Sequence, residues 1–266
     1  PEEIIFTSGG TESINLALKG IAFAKGKGHI ITSQIEHPAV LETCRHLETK
    51  GFIVTYLPVD KYGLVSPTAV EKAIHKETIL ITIMYANNEI GTIQPIADIG
   101  RIAQRRGIPF HSDACQAGSL ELNVEKLNVD MLTLNGSKTY APKGVGILYK
   151  RKSLPLEPLF HGGGQEYGLR SGTPNVANIV GFARALEMIQ KNRGREHKRL
   201  FTLRNYLIAK VLQNIPNVRL NGHPRKRLLN NAHFSFQGIM GEELLPHLSQ
   251  KGIFVSEFAV LFTVML

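Results

Sequence analysis

The chain has 266 residues, of which 43% are hydrophobic, so it can bury a large core and is not a peptide-sized module. Its formal net charge is +9 at pH 7, but the basic residues are scattered along the chain. The densest basic cluster, 193–204, lies in a stretch of helical period that also contains Glu196, so we expect it to be a solvated helix face. We expect no nucleic-acid binding. Two cysteines, Cys44 and Cys115, are too few for a disulfide framework or a zinc-finger site, and we predict no metal site.

Short runs of β-forming residues alternate with amphipathic helical stretches along most of the chain. We predict, in chain order, strand 3–6, helix 11–25, strand 29–33, helix 38–50, strand 52–57, helix 66–76, strand 78–84, helix 96–106, and strands 109–113, 130–134 and 144–149. This alternation is typical of a mainly parallel sheet with helices on both faces, so the predicted fold class is α/β.

A long helical stretch follows, from about 175 to 214, and is interrupted only by Gly181 and Gly194. Beyond it, 218–220 and 231–236 are predicted as strands of a new unit. We place a domain boundary within the long helix, near Glu196. This gives a large domain at 1–196 and a smaller, incomplete α+β domain at 197–266.

No stretch approaches the roughly 20 apolar residues that a membrane span needs, since even the apolar C-terminal stretch 258–266 is much shorter. The N-terminal residues carry neither a basic leader nor a long apolar run, so no secretory signal opens the chain. We expect a cytoplasmic protein without membrane association, in agreement with the small number of cysteines.

The first motif with chemical content is TSGGTES at 7–13, between a predicted strand and a predicted helix. Glycines let backbone N–H groups approach an anion, and the helix dipole favours a phosphate there. The run lacks the Gly-Lys-Ser/Thr of a P-loop and the dinucleotide pattern G-x-G-x-x-G. The alternative is an ordinary helix start with Ser8 or Thr11 as the cap.

The second motif is HSDACQ at 111–116, at the carboxyl end of a predicted strand, where open α/β sheets bind their ligands. An aspartate there can hold the proton of a pyridinium nitrogen and so keep the ring poor in electrons. The alternative is that Asp113 only caps the loop that follows.

The third motif is LNGSKTYAPKGVG at 134–146, in which Lys138 comes just after a predicted strand. A lysine in such a position can project into a cleft, where desolvation makes it a Schiff-base nucleophile. A single lysine is usually only a solvated charge. The order of the three motifs, a phosphate loop, an aspartate and then a lysine, favours the functional interpretation.

Together with IEHPAV at 35–40, NNEIGTIQP at 87–95, HGGGQE at 161–166 and RSGT at 170–173, these motifs resemble the NifS/IscS-type cysteine desulfurases. That family is part of the class V branch of the fold type I pyridoxal-phosphate enzymes. The resemblance is specific over about residues 1–175 and continues more weakly through NAHFSF at 231–236 to about 256. It implies pyridoxal 5′-phosphate as cofactor and L-cysteine as substrate.

The resemblance also implies roles for individual residues. Lys138 would anchor the cofactor and move protons at the substrate carbon, and His37 would stack on the cofactor ring and act as an acid or base. The other implied contacts are those of Asp113 with the pyridinium nitrogen, Gln116 and Asn88 with the ring oxygen, and Gly10, Thr11 and Ser137 with the phosphate. Many relatives have histidine at the position of Ser137. Thr173 would reach the phosphate of a neighbouring subunit, which implies a homodimer.

In this family a mobile enzyme cysteine accepts the sulfur of L-cysteine as a persulfide and delivers it to a sulfur-acceptor or iron–sulfur scaffold protein. The resemblance predicts that cysteine on a loop after 252–256, but the chain continues with the apolar stretch 258–266 and has no cysteine there. We therefore expect the chain to be truncated at both ends relative to the family, as a truncated, frame-shifted or partial gene product. The alternatives are a C-terminal tail that has diverged from the family and a catalytic cysteine supplied by a partner protein. We expect packing roles for Cys44 and Cys115, and no turnover of cysteine by the chain as written.

The sequence is also compatible with other functions. Another class V enzyme, such as an aminotransferase or a selenocysteine lyase, would share Lys138, Asp113 and His37, although the tracts at 161–166 and 170–173 favour the desulfurase. A catalytically dead fragment that still dimerises or binds a scaffold protein is a non-enzymatic alternative.

Overall fold

The computed structural model describes residues 1–256, whose strands form a seven-stranded sheet and a two-stranded sheet. The strands are β1 (Ile4–Thr7), β2 (His29–Ser33), β3 (Ile53–Leu57), β4 (Thr78–Thr82), β5 (Phe110–Asp113), β6 (Met131–Asn135), β7 (Gly146–Lys150), β8 (Val218–Leu220) and β9 (Phe234–Phe236). The helices are α1 (Gly10–Lys25), α2 (Pro38–Glu48), α3 (Pro67–Ala73), α4 (Ile96–Arg106), α5 (Val124–Leu127), α6 (Val176–Asn214) and α7 (Gly241–Gln250).

The large sheet has the strand order β1-β7-β6-β5-β4-β2-β3. Strands β2 to β6 pair in parallel with one another, whereas β7 is antiparallel to both β1 and β6. Strand β1 therefore points in the same direction as the parallel strands, and α1, which follows it, begins at their carboxyl edge. Open α/β sheets bind their ligands at that edge.

Two hydrophobic clusters lie on the two faces of the large sheet. Ile30 belongs to the cluster that contains α1 and α2 residues, whereas Ile31 belongs to the cluster that contains α3 and α4 residues. Leu80 and Ile81 on β4 divide in the same way, because successive side chains of a strand point to opposite faces. Both faces are thus covered, and every residue of β2 is buried. The predicted α/β fold class, with helices on both sides of a mainly parallel sheet, is confirmed.

Most predicted elements are present with small differences at their ends. Strand 29–33 and helix 96–106 have the predicted bounds, whereas the predicted helix 66–76 ends at Ala73. Helix α5 was not predicted, because a single turn is too short to show a helical period. Asn123 starts this turn, since its side chain accepts hydrogen bonds from the amides of Glu125 and Lys126.

Helix α6 is continuous over 39 residues and passes through both Gly181 and Gly194, so the predicted boundary near Glu196 lies inside it. Its first part packs against the large sheet through Phe182. Its second part leads to the unit that contains β8, β9 and α7. The division of the chain at residue 196 stays a prediction. No helix within residues 1–256 is both long and apolar enough to cross a bilayer.

Gly194 gives a direct test of the helix interior, because a Cβ added there would have no neighbouring atom within 4 Å. Glycine in a helix interior costs about 0.5–1 kcal/mol relative to alanine, so Gly194→Ala should raise the free energy of unfolding by about that amount. Urea denaturation followed by circular dichroism measures the change. Gly181→Ala is the comparison and should gain less, because its Cβ would lie 3.1 Å from Pro142. A loss of stability in Gly194→Ala would contradict this account of α6.

Candidate active site

A cavity of about 360 Å³ opens at the carboxyl edge of the large sheet. Its volume falls within the range of small-ligand sites, about 300–1,000 Å³. The predicted site residues that line it are Gly10, Thr11, His37, Asn88, Asp113, Gln116 and Lys138. The remaining lining residues are Ile14, Met84, Ala86, Cys115, Asn135 and Ser256. Segments that are far apart in the sequence therefore meet around one space.

Helix α1 begins at this cavity with Gly10, and no side chain caps it. The alternative in which Ser8 or Thr11 is the cap is wrong, because Gly9 holds the N-cap position. The amide of Ser8 instead donates a hydrogen bond to Oε2 of Glu12 at 2.8 Å. The first amide groups of a helix have no partner within the helix and carry partial positive charge. This N-terminus can therefore bind an anionic group such as a phosphate.

Asp113 is the last residue of β5 and is only 6% exposed. Its Oδ1 accepts a hydrogen bond from the amide of Cys115 at 2.9 Å, so the loop-capping alternative is realised. The same side chain also lines the cavity. A carboxylate has two oxygens and can accept more than one hydrogen bond. Asp113 can therefore cap its own loop and still offer negative charge to a cationic group of a ligand.

Lys138 ends a short 3₁₀ turn, Gly136–Lys138, that directly follows β6. The turn is fixed from both ends: Oδ1 of Asn135 accepts from the amide of Ser137 at 3.3 Å, and the hydroxyl of Thr139 donates to the carbonyl of Gly136 at 2.8 Å. The side chain of Lys138 lines the cavity, and no ion pair within residues 1–256 involves its ammonium group. A lysine amine that reaches such a cavity can form a Schiff base with a carbonyl group.

His37 is the N-cap residue of α2 and also lines the cavity. Its Nδ1 accepts a hydrogen bond from the amide of Ala39 at 3.0 Å. The neutral ring therefore carries its proton on Nε2. The structural alternative, a histidine that starts a helix, and the predicted role beside a ligand are compatible in this arrangement, because they use different nitrogens of the ring.

Glu36, next to His37, is a buried acid directly behind the site. Its Oε1 accepts from the hydroxyl of Ser33 at 2.6 Å, and both carboxyl oxygens lie 3.0 Å from the amide nitrogen of Met84. Burial raises the pKa of Glu36 to about 8 in spite of these hydrogen bonds, and the charge of Asp113 adds to the rise. Glu36 thus ties the end of β2 to the segment after β4, which contributes Met84 to the cavity wall.

This raised pKa predicts a pH-dependent stability. Between about pH 4.5 and 8 the folded state retains a proton on Glu36 that the unfolded state releases, so the free energy of unfolding falls as the pH rises through this range. The slope from one group is at most about 1.4 kcal/mol per pH unit. Glu36→Gln mimics the protonated acid and should flatten this slope, which urea titrations at several pH values would measure. Glu42→Gln, at an exposed position of α2, is the control, and equal slopes in both variants would refute the assignment.

Ser137 and Thr173 are predicted site residues that do not line the cavity. Ser137 is exposed in the same turn as Lys138. Thr173 is exposed and borders a separate groove of about 200 Å³, together with Ser8 and Arg170. Nε of Arg170 pairs with Oε1 of Glu12 at 2.8 Å, which fastens this tract to the first turn of α1. The contacts of Ser137 and Thr173 with a phosphate stay predictions.

Neither cysteine has the character of a reactive thiol. Cys44 is completely buried in the cluster that contains α1 and α2, as its predicted packing role requires, and burial raises the pKa of its thiol to about 12. Cys115 lines the cavity and packs against Gly10, where an added Cβ would lie 2.7 Å from its Sγ. Burial, together with the charge of Asp113, also raises the pKa of the Cys115 thiol well above its usual range. Protonated thiols are poor nucleophiles.

The apolar cavity residues Ile14, Met84 and Ala86 could not be predicted, because nothing in the sequence distinguishes them from core residues. Asn135 also lines the cavity and was not among the predicted site residues, although its sequence context could have indicated it. It is an asparagine at the end of a predicted strand and directly before Gly136, a position at which its side chain starts a turn.

Sequence comparison places the chain among known proteins. The model of the aminotransferase class-V family matches residues 1–257. A cysteine desulfurase IscS of Methanosarcina thermophila is 55% identical over 96% of this chain, and a cysteine desulfurase of Rattus norvegicus is 45% identical over 95%. The chain spans 63% of the length of the first relative and 57% of the second.

Solved structures give the same result. A NifS-like protein matches with a TM-score of 0.92 and 46% identity, over 96% of this chain and 71% of that protein. SspA in complex with cysteine matches with a TM-score of 0.81 and 42% identity, over 96% of this chain and 72% of the other. Both the sequence motifs around the cavity and the fold of the large sheet agree with these matches. The chain belongs to the aminotransferase class-V family and, within it, to the NifS/IscS-type cysteine desulfurase group, which has the fold type I architecture of pyridoxal-phosphate enzymes.

Proposed function

We propose that the cavity binds pyridoxal 5′-phosphate and that the protein acts as a cysteine desulfurase, which converts L-cysteine to L-alanine and passes the sulfur on as a persulfide. One observation carries the proposal: three unlike groups meet at one cavity. They are the uncapped N-terminus of α1, the carboxylate of Asp113 and the ammonium group of Lys138. Membership of the family supports the same cofactor and substrate.

The groups around the cavity fit the parts of this cofactor. The N-terminus of α1 at Gly10 suits the phosphate, and the buried carboxylate of Asp113 suits a protonated pyridine nitrogen. Lys138 suits the aldehyde carbon. The carboxamides of Asn88 and Gln116 also line the cavity and can donate hydrogen bonds to the ring oxygen. Thr11 would add a hydroxyl to the phosphate site, and Ser137 another.

When bound, the cofactor supplies an electron sink for the substrate carbon that loses a proton. The chain supplies the proton transfers and the orientation. Asp113 would hold the proton of the ring nitrogen through its charge, and Lys138 would take up and return the proton at the substrate Cα. His37 would lie beside the ring with its Nε2–H free for proton transfer, because its Nδ1 accepts the hydrogen bond from the amide of Ala39.

We propose that the sulfur-accepting thiolate comes from outside these 266 residues. Cys44 and Cys115 are the two cysteines in the sequence, Cys44 is buried in the core, Cys115 packs against Gly10, and burial raises the pKa of both thiols. This chain then binds the cofactor and L-cysteine without sustained sulfur release. The same observation favours a second candidate function, a cofactor-binding protein that dimerises or binds a scaffold protein without turnover.

We also propose that the protein is a cytoplasmic homodimer and that, once the thiolate is supplied from outside these residues, the sulfur goes to an acceptor or iron–sulfur scaffold protein. The position of Thr173 supports the dimer: it is exposed and lies outside the cavity of its own chain, as expected of a residue that contacts a neighbouring subunit's phosphate.

The test is the absorption spectrum of the purified chain with pyridoxal 5′-phosphate, recorded before and after addition of L-cysteine. We expect a new visible band that changes when L-cysteine is added, and no sustained release of sulfide. D-cysteine is the matched control, since its α-proton points to the opposite side. Absence of the band would overturn the cofactor proposal, and sustained sulfide release would overturn the assignment of the thiolate.

A further inference from the structure

The loop 87–93, here called the asparagine loop, carries Asn88 to the cavity wall. The loop is closed from inside by Asn87, whose amide donates to the carbonyl of Thr92 at 2.9 Å. Oδ1 of Asn87 also accepts hydrogen bonds from the amides of Glu89 at 3.0 Å and Ile90 at 2.9 Å. These bonds define the shape of the loop. Two further bonds join its ends to the large domain: Nδ2 of Asn87 donates to the carbonyl of Ile35 at 3.0 Å, and the hydroxyl of Thr92 donates to the carbonyl of Tyr62 at 2.7 Å.

A distant segment, 221–231, here called the latch segment, lies across this loop. Hydrogen bonds connect the two segments at five consecutive loop residues. The latch segment donates four of them: from Asn231 Nδ2 to the carbonyl of Glu89 at 2.7 Å, from Arg227 Nη2 to that of Ile90 at 2.9 Å, from the amide of Leu228 to the carbonyl of Gly91 at 2.8 Å, and from the amide of His223 to Oγ1 of Thr92 at 2.9 Å. In the fifth, the amide of Ile93 donates to the carbonyl of Lys226 at 2.9 Å. Every residue from 89 to 93 is therefore held by the latch segment.

The two segments also pack without space between them. A Cβ added to Gly91 would lie 2.4 Å from Oδ1 of Asn231, and one added to Gly222 would lie 2.3 Å from the carbonyl oxygen of Ile90. Both glycines have positive φ angles, 73° and 77°. Glycine is therefore required on each side of the contact, by space and by backbone conformation.

Arg227 lies at the centre of the latch segment and is only 2% exposed. Besides Ile90, Nη2 contacts the carbonyl of Asn221. Arg204 of α6, which is 7% exposed, donates to the carbonyls of Arg227 at 3.2 Å and Leu228 at 3.1 Å. Burial, with the charge of Arg204 nearby, lowers the pKa of Arg227 to about 10. Among residues 1–256, Nε and Nη1 of this guanidinium have no hydrogen-bond partner. Burial of such a charge costs free energy, so we look for a role of Arg227 in addition to packing.

We propose that the latch segment, through Arg227, holds the asparagine loop so that Asn88 faces the cofactor ring, which makes Arg227 a positioning residue for the cofactor site. This rests on the proposed function. Because coupling between two events is reciprocal, binding in the cavity and docking of the latch segment strengthen each other. The C-terminal unit thereby contributes to cofactor binding although Arg227 is absent from the cavity lining.

Arg227→Met tests the proposal, since it keeps most of the apolar stem and removes the donors. We expect faster hydrogen exchange at amides 87–93 in the cofactor-free protein, and an affinity for pyridoxal 5′-phosphate that is about tenfold weaker. Arg225→Met, at an exposed position of the same segment, should change neither. Asn231→Ala removes one loop contact and should act in the same direction with a smaller effect, which keeps the test valid if Arg227→Met does not fold.

The double variant with Asn88→Ala separates positioning from general packing. If Arg227 acts through Asn88, Arg227→Met should weaken cofactor binding no further once Asn88 is alanine. Additive losses, or faster loop exchange with unchanged cofactor affinity, would overturn the proposal. If the wild-type chain binds no cofactor, the proposed function fails; unchanged exchange at 87–93 in Arg227→Met would then separately overturn the latch.

Discussion

Lys138→Ala should abolish covalent attachment of pyridoxal 5′-phosphate to the protein. Lys138 lines a cavity that Asp113 and the uncapped start of α1 also border, so the proposed anchor lies beside the charges that would orient the cofactor. After reduction with borohydride, the wild-type chain should gain the mass of one cofactor at the peptide that contains Lys138, and the variant should gain none. Exchange of the Cα proton of a bound amino acid should fall about 10²–10⁴-fold.

Lys143→Ala is the matched control for this experiment. Lys143 follows Lys138 in the same exposed stretch but does not line the cavity, and its backbone carbonyl accepts from Nδ2 of Asn178 in either variant. We expect Lys143→Ala to be labelled like the wild type. Equal labelling of Lys138→Ala would mean that another amine anchors the cofactor, and the assignment would then be withdrawn.

Gly146→Ala should lower both stability and cofactor affinity. An added Cβ would lie 2.6 Å from the carbonyl carbon, 2.7 Å from Cα and 2.9 Å from the carbonyl oxygen of Gly9. The obstructing atoms belong to backbone between β1 and α1, so they cannot rotate away as a side chain could. Overpacking of this kind costs about 1–3 kcal/mol, or more. We expect the urea midpoint to fall by the corresponding amount.

Because Gly9 precedes the first residue of α1, any shift that relieves the clash also moves the amides that would face the phosphate. The loss of cofactor affinity should therefore exceed that of a variant with equal loss of stability elsewhere. Ile99→Val, in the buried face of α4 away from the cavity, is a suitable comparison. A Gly146→Ala chain with wild-type stability would show that β1 and β7 can separate without cost.

The α/β class could be predicted because the sequence patterns that indicate its strands and helices are local. Strand β2 and helix α4 have short apolar patterns with clear borders, and the structure has both at the predicted bounds. The direction of β7 could not be predicted. A strand pattern has the same period whichever way it runs, and its antiparallel pairing with β1 and β6 depends on contacts across the whole domain.

The candidate site also contains residues that a local pattern can indicate and residues that depend on distant contacts. Asp113 and Lys138 could be proposed from the sequence, because each stands at a strand end and has a chemistry of its own. Glu36 could not, since a single acid is usually solvated and its burial depends on Met84 and Ser33. The contact between Arg227 and Ile90 joins residues 137 positions apart, a distance at which no local pattern carries information.

The pairing of β1 with β7 has a consequence for synthesis of the protein. The start of α1, which borders the cavity, follows β1, yet β1 enters the sheet through its pairing with β7, residues 146–150. A nascent chain must therefore keep β1 unpaired while β2 to β6 are made, and must then close a very long loop. The cavity at the start of α1 therefore cannot be complete before Lys150 has left the ribosome, and any ligand that binds there meets a large sheet whose strands have all been made.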